Sequence, residues 1–240
     1  MKQPLLPKIS IITVTYNAEK TLEETIKSVI SQKPELYEYI IIDGKSTDNT
    51  INIITKYAEY ISYWISEPDR GIYCAMNKGI KVAKGDYIYF LGADDILMPQ
   101  ILEKILPCIH GNNIFYGNVF MKHKKYIYDG NFNSFKLVIK NIPHQATLYP
   151  TALLQEKLFD ESYKLLADYY LNLKLWNKFK FIYIPYTIAQ YNDEGSSSTN
   201  LDIKFEKNRF YILIENLPWY CFPYILYRKV RTIIRHIIND

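Results

Sequence analysis

Two stretches, Tyr39-Ile40-Ile41-Ile42-Asp43 and Tyr87-Ile88-Tyr89-Phe90-Leu91-Gly92-Ala93-Asp94-Asp95, decide the fold. Each is a short, unbroken apolar run that ends on a carboxylate. A strand covered on both faces reads this way, because parallel sheets are sandwiched between helices. In open α/β sheets, ligands bind in the crevice beyond the carboxyl ends of the strands. Carboxylates placed there can hold a hard divalent cation, and the cation can hold a diphosphate. The pattern suits chemistry in which a group leaves a nucleotide diphosphate.

Outward from these runs, strand and helix alternate. Residues 9–16 are β-rich and apolar, and Asn17-Ala18-Glu19-Lys20 forms a polar turn. Leu22, Ile26, Val29 and Ile30 give a helix over 21–31 one apolar face. Pro34 stops it before a strand over 37–43. Asp48 or Thr50 caps a helix running toward Tyr60, and a strand over 61–66 and a helix over 73–83 follow. Gly85-Asp86 turns into the strand over 87–91, and Pro99 opens another helix. Such alternation implies right-handed crossovers and a parallel sheet. Beyond Asn113 the pattern changes: 114–120 and 126–129 read as a β-pair, then short helices and strands run to Tyr191. Gly195-Ser196-Ser197-Ser198-Thr199 reads as a flexible loop, and the remainder as helix.

Composition narrows the function classes. With 240 residues, 48% hydrophobic and 22% charged, the chain fits one globular core plus a tail. A net charge of +4, without a dense Lys/Arg run on a recognition motif, argues against a nucleic-acid partner. Cys74, Cys108 and Cys221 are scattered without paired spacing and no targeting segment is visible, so reduced thiols and a cytoplasmic setting are expected. No apolar run approaches the ~20 residues that span a bilayer. No GxGxxG follows a strand, which sets aside a dinucleotide oxidoreductase. Thr15-Tyr16-Asn17-Ala18-Glu19 is not the Gly-rich basic loop of a nucleotidylyltransferase.

Four segments in order carry a resemblance: Ile9-Ser10-Ile11-Ile12-Thr13-Val14-Thr15-Tyr16-Asn17, Ile41-Ile42-Asp43-Gly44-Lys45-Ser46-Thr47-Asp48, Asp69-Arg70-Gly71-Ile72-Tyr73-Cys74-Ala75-Met76-Asn77-Lys78-Gly79, and Phe90-Leu91-Gly92-Ala93-Asp94-Asp95. Residues 7–98 resemble the nucleotide-binding half of a family-two, GT-A-fold glycosyltransferase. The resemblance implies an α/β fold with a GT-A-like, Rossmann-type, mostly parallel sheet flanked by helices and a helical C-terminal tail. It implies a catalytic domain over 1–200, with a nucleotide-sugar half over 1–112, an acceptor half over 113–200 and a tail over 201–240. Val14, Thr15 and Tyr16 would line the nucleobase and ribose pocket, and Asp43 would accept a hydrogen bond from the base. Asp69 and Arg70 would meet the base or diphosphate, and Asn77 would help place the donor. Asp95, with Asp94 beside it, would bind Mg²⁺ or Mn²⁺; the alternative role for the pair is capping the helix near Pro99, which its strand-end position beside Asp43 disfavours. Two positions depart from the family pattern: Gly92, where Asp is common, and Cys74, also commonly Asp.

On the acceptor side, Asp168 in Leu165-Leu166-Ala167-Asp168-Tyr169-Tyr170-Leu171 resembles the family's catalytic base, its alternative role being a helix N-cap. His144-Gln145 resembles a segment near the acceptor pocket. The function implied is inverting transfer of a sugar from a nucleotide-diphosphate donor, a UDP-sugar, to a glycan or lipid-linked hydroxyl in surface polysaccharide or lipid-linked oligosaccharide assembly. The rival reading, motivated by Cys74 and Gly92, is an inactive nucleotide-sugar-binding partner of another transferase. Finally, 217–227 is aromatic and apolar and is followed by Arg228, Lys229, Arg231 and Arg235. Such a stretch either lies on an anionic inner leaflet or packs on its own domain or a second subunit.

Overall fold

The computed structural model describes residues 8–128, 130–194 and 201–239. The loop expected over 195–199, the last residue of the 126–129 strand and the start of the chain lie outside them. The first half is built from β1 (Ile9–Thr15), α1 (Leu22–Ile30), β2 (Tyr37–Asp43), α2 (Thr50–Lys56), β3 (Tyr63–Ser66), α3 (Ile72–Val82) and β4 (Tyr87–Phe90). These four strands are parallel in the order β3-β2-β1-β4. Thr15 lies opposite Asp43 in the register, so the carboxyl ends of β1 and β2 emerge side by side. The third strand starts later than expected because Ala58–Tyr60 makes a 3₁₀ turn after α2 ends at Lys56.

The second half comprises β5 (Ile96–Leu97), α4 (Ile101–Ile105), β6 (Ile114–Met121), β7 (Tyr126–Tyr128), α5 (Ser134–Ile139), β8 (Thr147–Pro150), α6 (Thr151–Glu156), α7 (Ala167–Trp176), β9 (Phe181–Tyr191), α8 (Ile203–Asn216) and α9 (Phe222–Asn239). Its strands extend the same sheet as β4-β8-β6-β9-β5, with β7 on β6. Here the sheet is mixed. The strand β8 runs antiparallel to both β4 and β6, whereas β6 and β9 are parallel.

Alternating side chains on each central strand feed two cores. Ile40 and Ile42 of β2, with Ile88 and Phe90 of β4, face α3 and α7. Tyr37, Tyr39 and Ile41, with Tyr87 and Tyr89, face α1, α2 and α4. Each such aliphatic side chain contributes about 1.5–3 kcal/mol on full burial. Helix α3 lies so close to β1 that a Cβ at Gly79 would stand 2.6 Å from Ile12 Cγ2, which is why glycine sits there. Phe205, Ile212 and Leu213 of α8 and Ile225 of α9 join the core on the α3 and α7 side. The C-terminal helices are thus packed on their own domain along one face.

Candidate active site

Val14, Thr15 and Tyr16 from the end of β1 and Gly92 to Asp95 after β4 open onto one cleft of 720 Å³. Asp69, Tyr73, His144, Gln145 and Asn192 are among the other residues of its wall. Tyr16 is 64% exposed there, presenting a bare aromatic face. The Thr15 hydroxyl is buried and without a hydrogen-bond partner among the described residues. A buried orphan of this kind calls for a missing partner. The loops that frame this end are clasped together. Asn17, at φ 50°, accepts from Thr47 N at 2.9 Å through its side-chain oxygen, and Ser46 Oγ accepts from Asn17 N at 2.8 Å. Asparagine tolerates that left-handed backbone better than most residues.

Asp43 is wholly buried and does not line the cleft. Its carboxylate accepts from Ser46 N at 2.9 Å, Ser46 Oγ at 2.5 Å and Ser66 Oγ at 2.6 Å. It therefore organises the loop behind the pocket. Asp69 faces the cleft and fixes the turn through Gly71 N, which donates at 2.8 Å. Gly44 leaves the room it needs: a Cβ there would meet Asp69 Oδ2 at 2.6 Å.

The acidic pair sits at the other wall. Asp95 is 1% exposed, its oxygens accepting from Asn192 N at 2.8 Å and Gly92 N at 3.2 Å. Asp94 accepts from Asn192 Nδ2 at 2.8 Å. Burial, then the neighbouring Asp94 charge, push the Asp95 carboxyl up to about 7, against the pull of the Asn192 amide. Gly92 belongs to this packing, since a Cβ on it would lie 2.5 Å from Asp95 Oδ2. Any side chain at 92 would therefore force the buried Asp95 carboxylate to shift.

The raised Asp95 carboxyl has a stability consequence. Between its ordinary value near 3.8 and about 7 the folded chain holds a proton that the unfolded chain has released. Stability of the metal-free protein therefore falls as pH rises through that window. Thermal melts from pH 5 to 8 will show the decline, and Asp95→Asn will flatten it. An unchanged profile in that variant would assign the effect elsewhere.

Across the cleft, Asp168 is 5% exposed and is not among the lining residues. It is not the N-cap of α7, which is Leu166. Its carboxylate accepts from Tyr73 OH at 3.0 Å, Tyr169 N at 2.7 Å and Asn141 Nδ2 at 3.0 Å, and meets His144 Nδ1 at 3.1 Å. His144 and Tyr73 are the members of this group that line the cleft. Gln145 lines the cleft too, while its backbone oxygen accepts from Tyr89 OH at 2.8 Å.

Two expected donor contacts lie elsewhere. Asn77 is buried and bonds Phe159 on both sides, donating to its O at 2.9 Å and accepting from its N at 3.0 Å. This pins the chain after α6 to α3. Asn77→Ala will lower stability by about 2 kcal/mol through those lost buried bonds while leaving the donor Kd of the folded protein unchanged; a weakened Kd with an unchanged Tm would reverse that assignment. Arg70 is exposed and pairs with Glu161 at 2.6 Å, outside the cleft.

Asn192 was not visible in the sequence. It holds both acidic side chains from 97 and 98 residues away, and Tyr191-Asn192-Asp193 reads only as a strand end. Tyr73 and Asn141 likewise gain their roles only through packing against Asp168.

Residues 10–161 match the family described as Glycosyl transferase family 2. The chain belongs to that family. It is 31% identical over 213 residues to the PGL/p-HBAD biosynthesis glycosyltransferase of Mycobacterium bovis, spanning 84% of this chain and 83% of that protein. S. aureus TarS 1-349 in complex with UDP-GlcNAc superposes with a TM-score of 0.74 at 20% identity, over 88% of this chain and 67% of that one. The mannosyltransferase PcManGT of Pyrobaculum calidifontis, in complex with GDP-Man and Mn²⁺, gives 0.66 at 15% identity, over 93% and 72%. At such identities the two structures speak for the fold, and the GT-A-like α/β architecture expected of a family 2 glycosyltransferase is the one found.

Proposed function

We propose that the chain transfers a sugar from a nucleotide-diphosphate donor, a UDP-sugar, to a hydroxyl of a glycan or lipid-linked acceptor, with inversion. The setting proposed is surface polysaccharide or lipid-linked oligosaccharide assembly at the cytoplasmic face of a membrane. One observation carries the reading: a single cleft gathers Val14 to Tyr16, Asp69, the Asp94-Asp95 pair and His144 from separate segments. Tyr16 would stack on the base, and Thr15 would give its unpartnered hydroxyl to the nucleoside.

The acidic pair suits Mg²⁺ or Mn²⁺. Among the described residues no cluster of three or more His, Cys, Asp or Glu could hold a metal. Such cations need only one or two protein carboxylates when phosphates and waters complete the shell. Oxygen donors with a crowded negative charge are the right chemistry, so Asp95 and Asp94 would hold the ion. An ion held there would neutralise charge developing on the departing nucleoside diphosphate.

The acceptor oxygen bonds to the anomeric carbon as the carbon–oxygen bond to the diphosphate breaks, and the nucleoside diphosphate leaves with that electron pair. The hydroxyl proton passes to the protein. With Nδ1–H donated to Asp168, Nε2 of His144 is the nitrogen left to accept it. Asp168 then belongs to the base as the carboxylate that orients His144 and balances its charge. Nucleoside diphosphate release from a donor panel with Mn²⁺ or Mg²⁺ tests the assignment. Binding without release or transfer to any hydroxyl acceptor would favour the non-catalytic partner instead.

A further inference from the structure

We propose that α9 and the turn before it form a docking surface for an anionic lipid bilayer. This deepens the function proposed above by naming the surface at which it operates. The argument begins with helical spacing. Phe222, Leu226, Val230 and Ile234 recur every fourth residue, so they line one stripe of α9 about 18 Å long. An apolar stripe on a peripheral helix ordinarily faces the core. Here the opposite face does: Ile225 is 2% exposed, while all four stripe residues are exposed. At the head of the stripe, in the turn from α8, the Trp219 side chain stands 86% exposed.

Charge selects the occupant. Between 222 and 239 the sequence carries Arg228, Lys229, Arg231 and Arg235 and neither Asp nor Glu. Lys229 and Arg231 are exposed on the two flanks of the stripe, Lys229 with its ammonium 4.0 Å from the Phe210 ring, while Arg228 is half-buried on the packed side. A second copy meeting this face symmetrically would set these flanking cations against each other. An anionic bilayer meets both features at once: it takes the apolar stripe and indole into its interfacial region and the cations against its headgroups. The hairpin is also tied to the acceptor side of the site. Asp202, the N-cap of α8, accepts from Leu165 N at 2.9 Å and Leu166 N at 3.2 Å, just ahead of α7 and Asp168.

The test is flotation of the 240-residue chain with phosphatidylcholine vesicles, with and without phosphatidylglycerol, alongside tryptophan emission. Binding is expected to vesicles containing phosphatidylglycerol, weakening with salt, with a blue shift that Trp219→Phe removes. Leu226→Glu with Val230→Glu should cut binding by about tenfold or more. Lys229→Gln and Arg231→Gln should each cut it by about fivefold. Donor turnover in vesicle-free solution should be unchanged in all of them. Absence of binding to anionic vesicles, or binding indifferent to these substitutions, overturns the proposal. So does a wild-type dimer that the double glutamate variant converts to monomer. Vesicle binding by a chain that releases no nucleoside diphosphate would sink the transferase assignment and leave this surface standing.

Discussion

Asp95→Asn is expected to lower cation-dependent sugar transfer by about 10³-fold, the scale of a lost Lewis-acid contact to the leaving diphosphate. The substitution keeps the shape of a side chain that is almost fully enclosed and held by Asn192 and Gly92. It removes the charge that burial and Asp94 disfavour. The metal-free variant should therefore melt no lower than wild type at pH 8, even as activity collapses. This opposition of signs separates a ligand from a scaffold residue. Transfer near the wild-type rate with excess Mn²⁺ would remove Asp95 from the cation site.

The second large effect concerns Asp168 and His144. Asp168→Asn and His144→Ala should each reduce kcat by about 10²–10⁴-fold, the usual contribution of a positioned base. The donor Kd should change little, because neither residue is placed near the nucleoside. Residues that act as one unit lose activity non-additively, so the double variant should be no slower than the worse single one. The comparison also discriminates between roles. Asp168→Asn alone inactive, with His144→Ala near wild type, would make the carboxylate itself the base. In that event a side chain now enclosed by Tyr73, Asn141 and His144 would have to reach the cleft on substrate binding.

The parts of the molecule legible in the sequence are those written in local chemistry. Buried strands announce themselves as apolar runs, so β1, β2 and β4 were found within a residue or two. The acidic pair was found because it ends one of them. Long-range partners leave no such mark. Nothing in periodicity states that β8 runs antiparallel to β4, or that the two-residue strand β5 pairs with β9. The same limit applies to side chains. The resemblance implies a donor contact for Asn77, yet Phe159 claims both ends of its amide. Asp43 stands at a strand end facing the right crevice, yet three donors from Ser46 and Ser66 draw it behind the wall. The amphipathicity of α9 was visible, but which of its faces meets solvent was decided by Ile225 and the core beneath it.

The position of β9 in the sheet bears on how the protein can be dissected. The family match ends at residue 161, twenty residues short of that strand. A truncated chain stopping there would bare the long flank of β6, which β9 covers from Ile114 to Met121. Open strand flanks recruit other chains. Such a fragment would also remove the Asn192 donors to Asp94 and Asp95. It is expected to collect in inclusion bodies, so a soluble minimal enzyme must extend past Asn192.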